Sequence, residues 1–516
     1  MTPDAEALQP ARKAELRAKE LRAAGAKIGA AALVAAGLFA LYAREVKIEA
    51  QVQDLLAGQK IAGGRAGGAR ADLAKDTPRG WLSAEEALQK ALELQPSNPY
   101  TVAAFADVEV LLDRGGRADE AVARAEARDV QLPERYEARA LQMIARNKAA
   151  ESETYLLALL QRFGAVPRLV DALGRAQRHS GKLLEARASF KKAQDADWRS
   201  PGFIADYAEA LLEDGGALEA SQAFDRALQA NSDHSRSQIG KARALVALTV
   251  LGRGGDLNSA RALCDAVLAK PDSTPELKAR ALAARAESRL AEGATDSAAH
   301  DATAAVARGP GSAPALRARA LVAAARKSPD APALFKAALA ADPYDASTYF
   351  DGAGALDPPG AEKLLGAYAA MLPRTARYHL ALAQILSRRD DYKAAQGELQ
   401  KAQQLEPTNA LVYFEMGRLA QKQRDVRGAA AAYERAAQLR DDFPEVYRQM
   451  GGLYLDTTRN VDMAIKQFNE ALARYKAART PPAQMEAFYR DVVAQLSNAG
   501  KKKLAEAWVR QARALH

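Results

Sequence analysis

Few residues in this 516-residue chain could carry chemistry. Its single cysteine, Cys264, excludes a disulfide framework and a cysteine-built zinc site. Cys264 follows Ala260 by four residues and precedes Val267 by three, a helical spacing that makes it a buried filler and not a nucleophile. The five histidines, His179, His234, His300, His379 and His516, are scattered, with no His-Glu-x-x-His and no carboxylate at ligand spacing. Gly252, Gly254 and Gly255 follow no strand and precede no phosphate-loop lysine, so they read as a loop. The pairs Asp390-Asp391 and Asp441-Asp442 fall at turns or helix starts, where carboxylates complement the helix dipole. These patterns predict no catalytic residue, no cofactor and no metal.

The charge also argues against a polyanion partner. Lys+Arg number 73 against 64 Asp+Glu, a net of +9. Residues 1–79 hold 13 against 9, leaving 60 against 55, and the last 20 residues supply +4 of that remainder. The long middle is therefore close to neutral. It has no basic stripe interleaved with aromatics, and no nucleic-acid partner is expected. Low aromatic content (6%) and abundant alanine favour close-packed helices over a β-sandwich or barrel.

The elements that must position any site are repeats. From Ala84 onward a small residue is followed by a large apolar one four later and usually a small one three after that. Examples are Ala84/Leu88/Ala91, Ala186/Phe190/Ala193, Ala220/Phe224/Ala227, Ala260/Cys264/Val267, Ala429/Tyr433/Ala436 and Ala464/Phe468/Ala471. The starting positions are spaced 34, 34, 34, 34, 40, 38, 33, 30, 34, 34, 35 and 41 residues apart. The i, i+4, i+7 pattern is one helix face. A proline often falls five residues after the last small position (Pro96, Pro310, Pro343, Pro373, Pro407), where it ends the helix. About twelve residues upstream of the mark there is often a large-then-small pair, as in Leu173-Gly174, Ile239-Gly240, Met416-Gly417 and, with one residue inserted, Met450-Gly451. Each unit is then a helical hairpin that must stack on its neighbours.

This pattern resembles the tetratricopeptide repeat over most of residues 81–516. The resemblance implies an all-α, right-handed superhelical solenoid of about a dozen hairpins, with the first helix of each lining a concave, protein-binding groove. Between about 232 and 375 the first helices are degenerate. The first unit should lack a leading helix, because Gly67-Gly68 and Pro78 fall where it belongs. On hairpin spacing, Arg168, Asp171, Arg175, Arg178, Arg377, Gln384, Arg388, Arg418, Lys422 and Arg448 should face the groove. An acidic or carboxylate-bearing peptide suits such arginines; the bland alternative is an ordinary solvated face. The lysine/asparagine clamp of some family members is not supported, since no asparagine follows the small residue of the pair.

Ahead of the repeats, residues 28–43 run sixteen positions without a charge, bracketed by Lys27 and Arg44. With snorkelling by Lys27 the span approaches the roughly 20 residues a bilayer needs. We read a retained single-pass transmembrane anchor; a cleaved signal and a buried soluble helix are the alternatives. Six cations before the span against three after it place residues 1–27 as a basic cytoplasmic tail. The repeats then lie across a bacterial inner membrane, in the periplasm, beyond a helical stem and glycine-rich linker (44–80). The expected function is a membrane-tethered protein-interaction scaffold, with a translocation-linked chaperone or quality-control factor as the alternative. An enzyme is not expected.

Overall fold

A computed structural model describes Arg17 and residues 64–513, save Ala66, Asp113, Arg114, Arg459 and Arg479. The expected anchor (28–43), its cytoplasmic tail apart from Arg17, and the stem as far as residue 63 lie outside the described residues. No helix among the described residues is long and apolar enough to cross a membrane.

The described chain is a run of helical hairpins, without a strand. Twelve hairpins are complete, from the pair Pro99–Leu111 and Gly116–Ala127 to the pair Pro482–Asn498 and Lys502–Arg513. Each repeat mark sits on a second helix, and all but the last are buried: Leu156, Phe224, Cys264, Phe335, Leu365, Tyr433 and Phe468 are all fully enclosed, whereas in the last unit Val509 is half-buried and Trp508 enters the core instead. First helices open on a cap followed by proline. Asn98, Ser200 and Thr274 cap first helices that begin at Pro99, Pro201 and Pro275. The turn inside a hairpin is made by a residue of positive φ, such as Asn147, Gly181, Gly215, Gly293, Asp390 or Arg424.

The large-then-small pair works by close approach. A Cβ on Gly174 would stand 2.6 Å from the Phe190 ring, and one on Gly417 or Gly451 would stand 2.5 Å from Tyr433 or Phe468. The small residue lets the second helix seat its large side chain directly against the first helix's backbone.

Three irregularities in the spacing have local causes. The 40- and 38-residue intervals come from long first helices, Ser235–Val250 and Pro275–Glu292, and the 30-residue interval from the short Ala346–Ala355. The residue inserted after Met450-Gly451 is absorbed by a π-helical turn, Tyr454–Thr458, which widens the helix by one residue per turn. The glycine-rich run differs from its expectation as a tether. Residues 67–73, including Gly67 and Gly68, are helical, and Ala69 is buried against Ala84, Leu88, Ala104 and Val108. Glycine there costs helix propensity, but packing of Ala69 and Leu73 outweighs it. The first unit therefore has a leading helix.

The solenoid winds back on itself. Asn231 Nδ2 donates to the Lys75 carbonyl (2.7 Å), and His234 Nε2 meets Asp76 Oδ2 (3.1 Å). Arg178 reaches Asp342 at 3.0 Å, Arg377 donates to the Glu213 carbonyl at 2.5 Å, and Arg440 donates to the Leu251 carbonyl at 3.2 Å. The sequence separations are 156, 158, 164, 164 and 189 residues, so hairpins about five units apart touch.

Candidate binding cavity

First helices, together with the second helix Leu183–Ala196 and the turn at 342–345, line an open-sided cavity of about 1160 Å³. Its wall carries seven arginines (Arg175, Arg178, Arg187, Arg236, Arg243, Arg280, Arg317) and seven acids (Asp206, Glu209, Glu213, Asp214, Glu276, Asp342, Asp345). Trp81, Tyr344, Phe350 and Tyr368 supply aromatic surface. Charge on this wall is therefore balanced, with no bias towards an acidic ligand as a whole.

Of the ten residues expected to face the groove, Arg175 and Arg178 line this cavity. Arg175 donates to Asp206 at 2.7 Å and stands 3.0 Å from Asp171. Arg178 donates to Glu213 at 2.7 Å and to Asp342. Burial opposes the charge on Arg178, but Glu213 and Asp342 outweigh it and hold the guanidinium well above its ordinary pKa. Arg168 lies beside the cavity among buried acids, 3.0 Å from Glu137 and 3.4 Å from Asp107. Burial pushes Asp107 up to about 6 and Glu137 up to about 8, against the pull of Arg168.

The remaining expected residues sit on later hairpins, each with a partner in the same chain. Arg377 stacks its guanidinium 4.3 Å from the Phe350 ring centre. Gln384 and Arg418 both meet Glu415 at 3.0 Å, Arg388 donates to the Ala353 carbonyl at 2.9 Å, and Lys422 donates to the Ser387 carbonyl at 2.6 Å. Arg448 pairs with Asp491. Apart from Arg418, whose partner lies on its own helix, these side chains join one hairpin to another instead of standing free.

Five cavity arginines escaped the sequence reading: Arg187, Arg236, Arg243, Arg280 and Arg317. Arg187 sits on a second helix, Leu183–Ala196, which was not expected to face the groove, and the other four fall in the stretch 232–375, where the first helices are least regular. Arg236 pairs with Asp206, and Arg280 with Glu209 at 3.0 Å. Arg317, only 1% exposed, pairs with Glu287 at 2.8 Å, Asp345 at 3.4 Å and Asp351 at 3.6 Å.

One trio has the connectivity of a nucleophilic relay. His234 joins Ser237 Oγ at 2.6 Å through Nδ1 and Asp76 through Nε2. His234 and Ser237 are both fully enclosed, so no substrate can reach the hydroxyl, and the trio fastens the opening unit to the fifth hairpin. Cys264 is likewise buried, and burial pushes its thiol up to about 12.

No family model matches the chain, and no curated protein matches it. Solved structures similar to it include an APC/C hetero-tetramer, Cut9–Hcn1 (15% identity, 84% of this chain and 93% of the other, TM-score 0.42). Yeast Tom70 is similar at 14% identity over 74% of this chain and 95% of the other, TM-score 0.39. A tetratricopeptide repeat protein from Parabacteroides merdae ATCC 43184 is similar at 15% identity over 56% and 98%, TM-score 0.29. The described residues themselves form the stacked helical hairpins that the repeat pattern predicts, the architecture of a tetratricopeptide-type solenoid.

Proposed function

We propose that the chain is a protein-interaction scaffold that takes a peptide segment of a partner into the cavity that its first helices largely line. The observation that carries this reading is the cavity itself. At about 1160 Å³ it exceeds the roughly 300–1,000 Å³ of small-molecule sites. Its wall mixes aromatic faces with charges of both signs, a lining suited to a peptide backbone with mixed side chains. A chaperone for unfolded chains would want an apolar interior, and this charged wall favours the scaffold.

The uncharged run at 28–43 and the six-to-three cation bias around it support a tether in a bacterial inner membrane with the solenoid in the periplasm. In this reading the partners belong to an envelope machine.

The test is site-specific photocrosslinking in cells, using the full chain. A photoreactive residue at Tyr344 in the cavity wall should capture partner protein, and one at Trp198, 67% exposed outside the cavity, should not. Capture from Trp198 alone, or from neither, would overturn the cavity as the binding surface. Protease treatment of intact cells, spheroplasts and lysed spheroplasts tests the location. Digestion first seen after lysis would place the solenoid in the cytosol.

A further inference from the structure

Arg243 stands apart from its neighbours in the cavity wall. Arg175, Arg178, Arg187, Arg236, Arg280 and Arg317 each hold a carboxylate of this chain. Among the described residues, Arg243 has no ion pair and no hydrogen bond to its guanidinium, and its enclosed Nε has no acceptor. The three acids that act on it electrostatically are Glu287, Asp345 and Glu209. Each of them is committed elsewhere, Glu287 and Asp345 to Arg317 and Glu209 to Arg280. Burial, and after it the charge of Arg317, holds Arg243 below its ordinary pKa.

A guanidinium kept partly out of water without an acceptor is an unfavourable arrangement. Folding tolerates it only at a cost, and costs of this kind concentrate where a ligand completes the set. We propose that Arg243 is the anchor of the cavity and takes one carboxylate of the partner peptide, through the paired donors of its planar fork. This deepens the scaffold reading and rests on it. The ligand group is a single monoanion. Glu287, Asp345 and Glu209 surround the position, so a phosphate dianion would meet three carboxylates for one unpaired cation. The carboxylate can come from a chain terminus or from an Asp or Glu side chain.

The experiment immobilises the full chain and offers two pools of random heptapeptides, identical except that one ends in a free carboxylate and the other in an amide. Retained peptides are read by mass spectrometry. The wild type should retain peptides bearing the anchoring carboxylate about ten- to a hundredfold better than their uncharged equivalents, the range for a charge-assisted hydrogen-bonded contact. Preference for the free-acid pool identifies a terminal carboxylate, and enrichment of Asp or Glu within the amide pool identifies a side chain. Arg243→Met should abolish either preference, and Arg243→Lys should retain part of it.

Equal retention of both pools without acidic enrichment, or a preference that survives Arg243→Met, would overturn the anchor. If photocrosslinking from Tyr344 still succeeds, the scaffold reading stands alone. Retention of neither pool, together with failed crosslinking, sinks both. Tighter retention of phosphoserine peptides than of aspartate peptides would also overturn the assignment. A second measurement guards against misfolding. Removing an unpaired, partly desolvated charge should leave the melting temperature of Arg243→Met equal to or above wild type, and a marked drop would show that the guanidinium has a structural partner after all.

Discussion

Replacing Arg317 by methionine should have a pH-dependent effect that can be worked from the geometry. The side chain is 1% exposed and holds Glu287, Asp345 and Asp351 at 2.8, 3.4 and 3.6 Å. Methionine fills similar space but leaves three carboxylates without their shared cation. Breaking a buried pair from one side costs about 3–5 kcal/mol. That corresponds to roughly a thousandfold rise in the local opening equilibrium. The cost should depend on pH in a definite direction. Burial alone would raise Asp345, but Arg317, the Thr348 hydroxyl and the charges of Arg243 and Arg178 together outweigh it, with Arg317 the largest of these, and hold the carboxyl below its ordinary value, so this stabilising effect is present above about pH 4 and lost as pH falls below that. Asp351 is already raised by burial in spite of Arg317. Without the arginine both folded-state values move up, and a carboxyl raised in the folded state loses stability as pH rises through that value. The gap between wild type and variant should therefore be widest near pH 7.5 and should shrink towards pH 4.5. Hydrogen exchange of the helix Ala313–Ala325 reads this locally, which matters because a long repeat array need not unfold in two states. An equal loss at both pH values, or a loss below about 1 kcal/mol at pH 7.5, would refute the claim that Arg317 neutralises these three acids.

Other perturbations have equally definite outcomes. Gly174→Ala places a methyl 2.6 Å from Phe190 and should cost about 1–3 kcal/mol, whereas Gly366→Ala, on an open helix surface, should gain about 0.5–1 kcal/mol; thermal melts of the two variants should move in opposite directions. Burial would raise Asp76, but the hydrogen bond from His234 and the charges of His234, Arg236 and Arg175 outweigh it and hold it well below its ordinary value. Asp76→Asn should therefore speed hydrogen exchange in residues 67–76 at pH 7, and the same loosening should appear in wild type only as pH falls below about 4. Cys264, fully enclosed with its thiol near 12, should resist a thiol reagent at pH 8 until denaturant is added; prompt labelling would show that its hairpin opens.

Much of the fold was legible because one residue pattern recurs where one packing contact recurs. Large second-helix residues such as Phe190 and Tyr433 rest on the very glycines that precede them by sixteen residues, Gly174 and Gly417. The glycine-rich run at 64–73 was misread because composition reports propensity, and the deciding term was burial of Ala69 under the first hairpin. The inward face of Arg175 and Arg178 was legible from helix spacing, but their partners were not. Yet Arg175 meets Asp206 31 residues on, Arg178 meets Glu213 35 residues on, and Gln384 meets Glu415 31 residues on. The repeat length carried that signal, since a cation on one first helix finds an acid at the matching place on the next. The pairing of Arg178 with Asp342, 164 residues away, depends on how far the solenoid winds per unit, and no local pattern encodes that.

The contacts between hairpins five units apart bear on the order in which the chain acquires structure. A stack coupled only to nearest neighbours folds and frays one unit at a time, because every contact is short in sequence. Here the bonds of Lys75 and Asp76 to residues 231–234, and of Arg178, Glu213 and Leu251 to residues 342–440, each close a loop of more than 150 residues. Such closures come late, since the intervening hairpins must form first to bring the ends together. During synthesis from the N-terminus, the earlier hairpins can stack while Arg178 and Glu213 still await part of their final surroundings. Completion of the next winding then joins units that had assembled separately, turning a sequential zipper into a cooperative body.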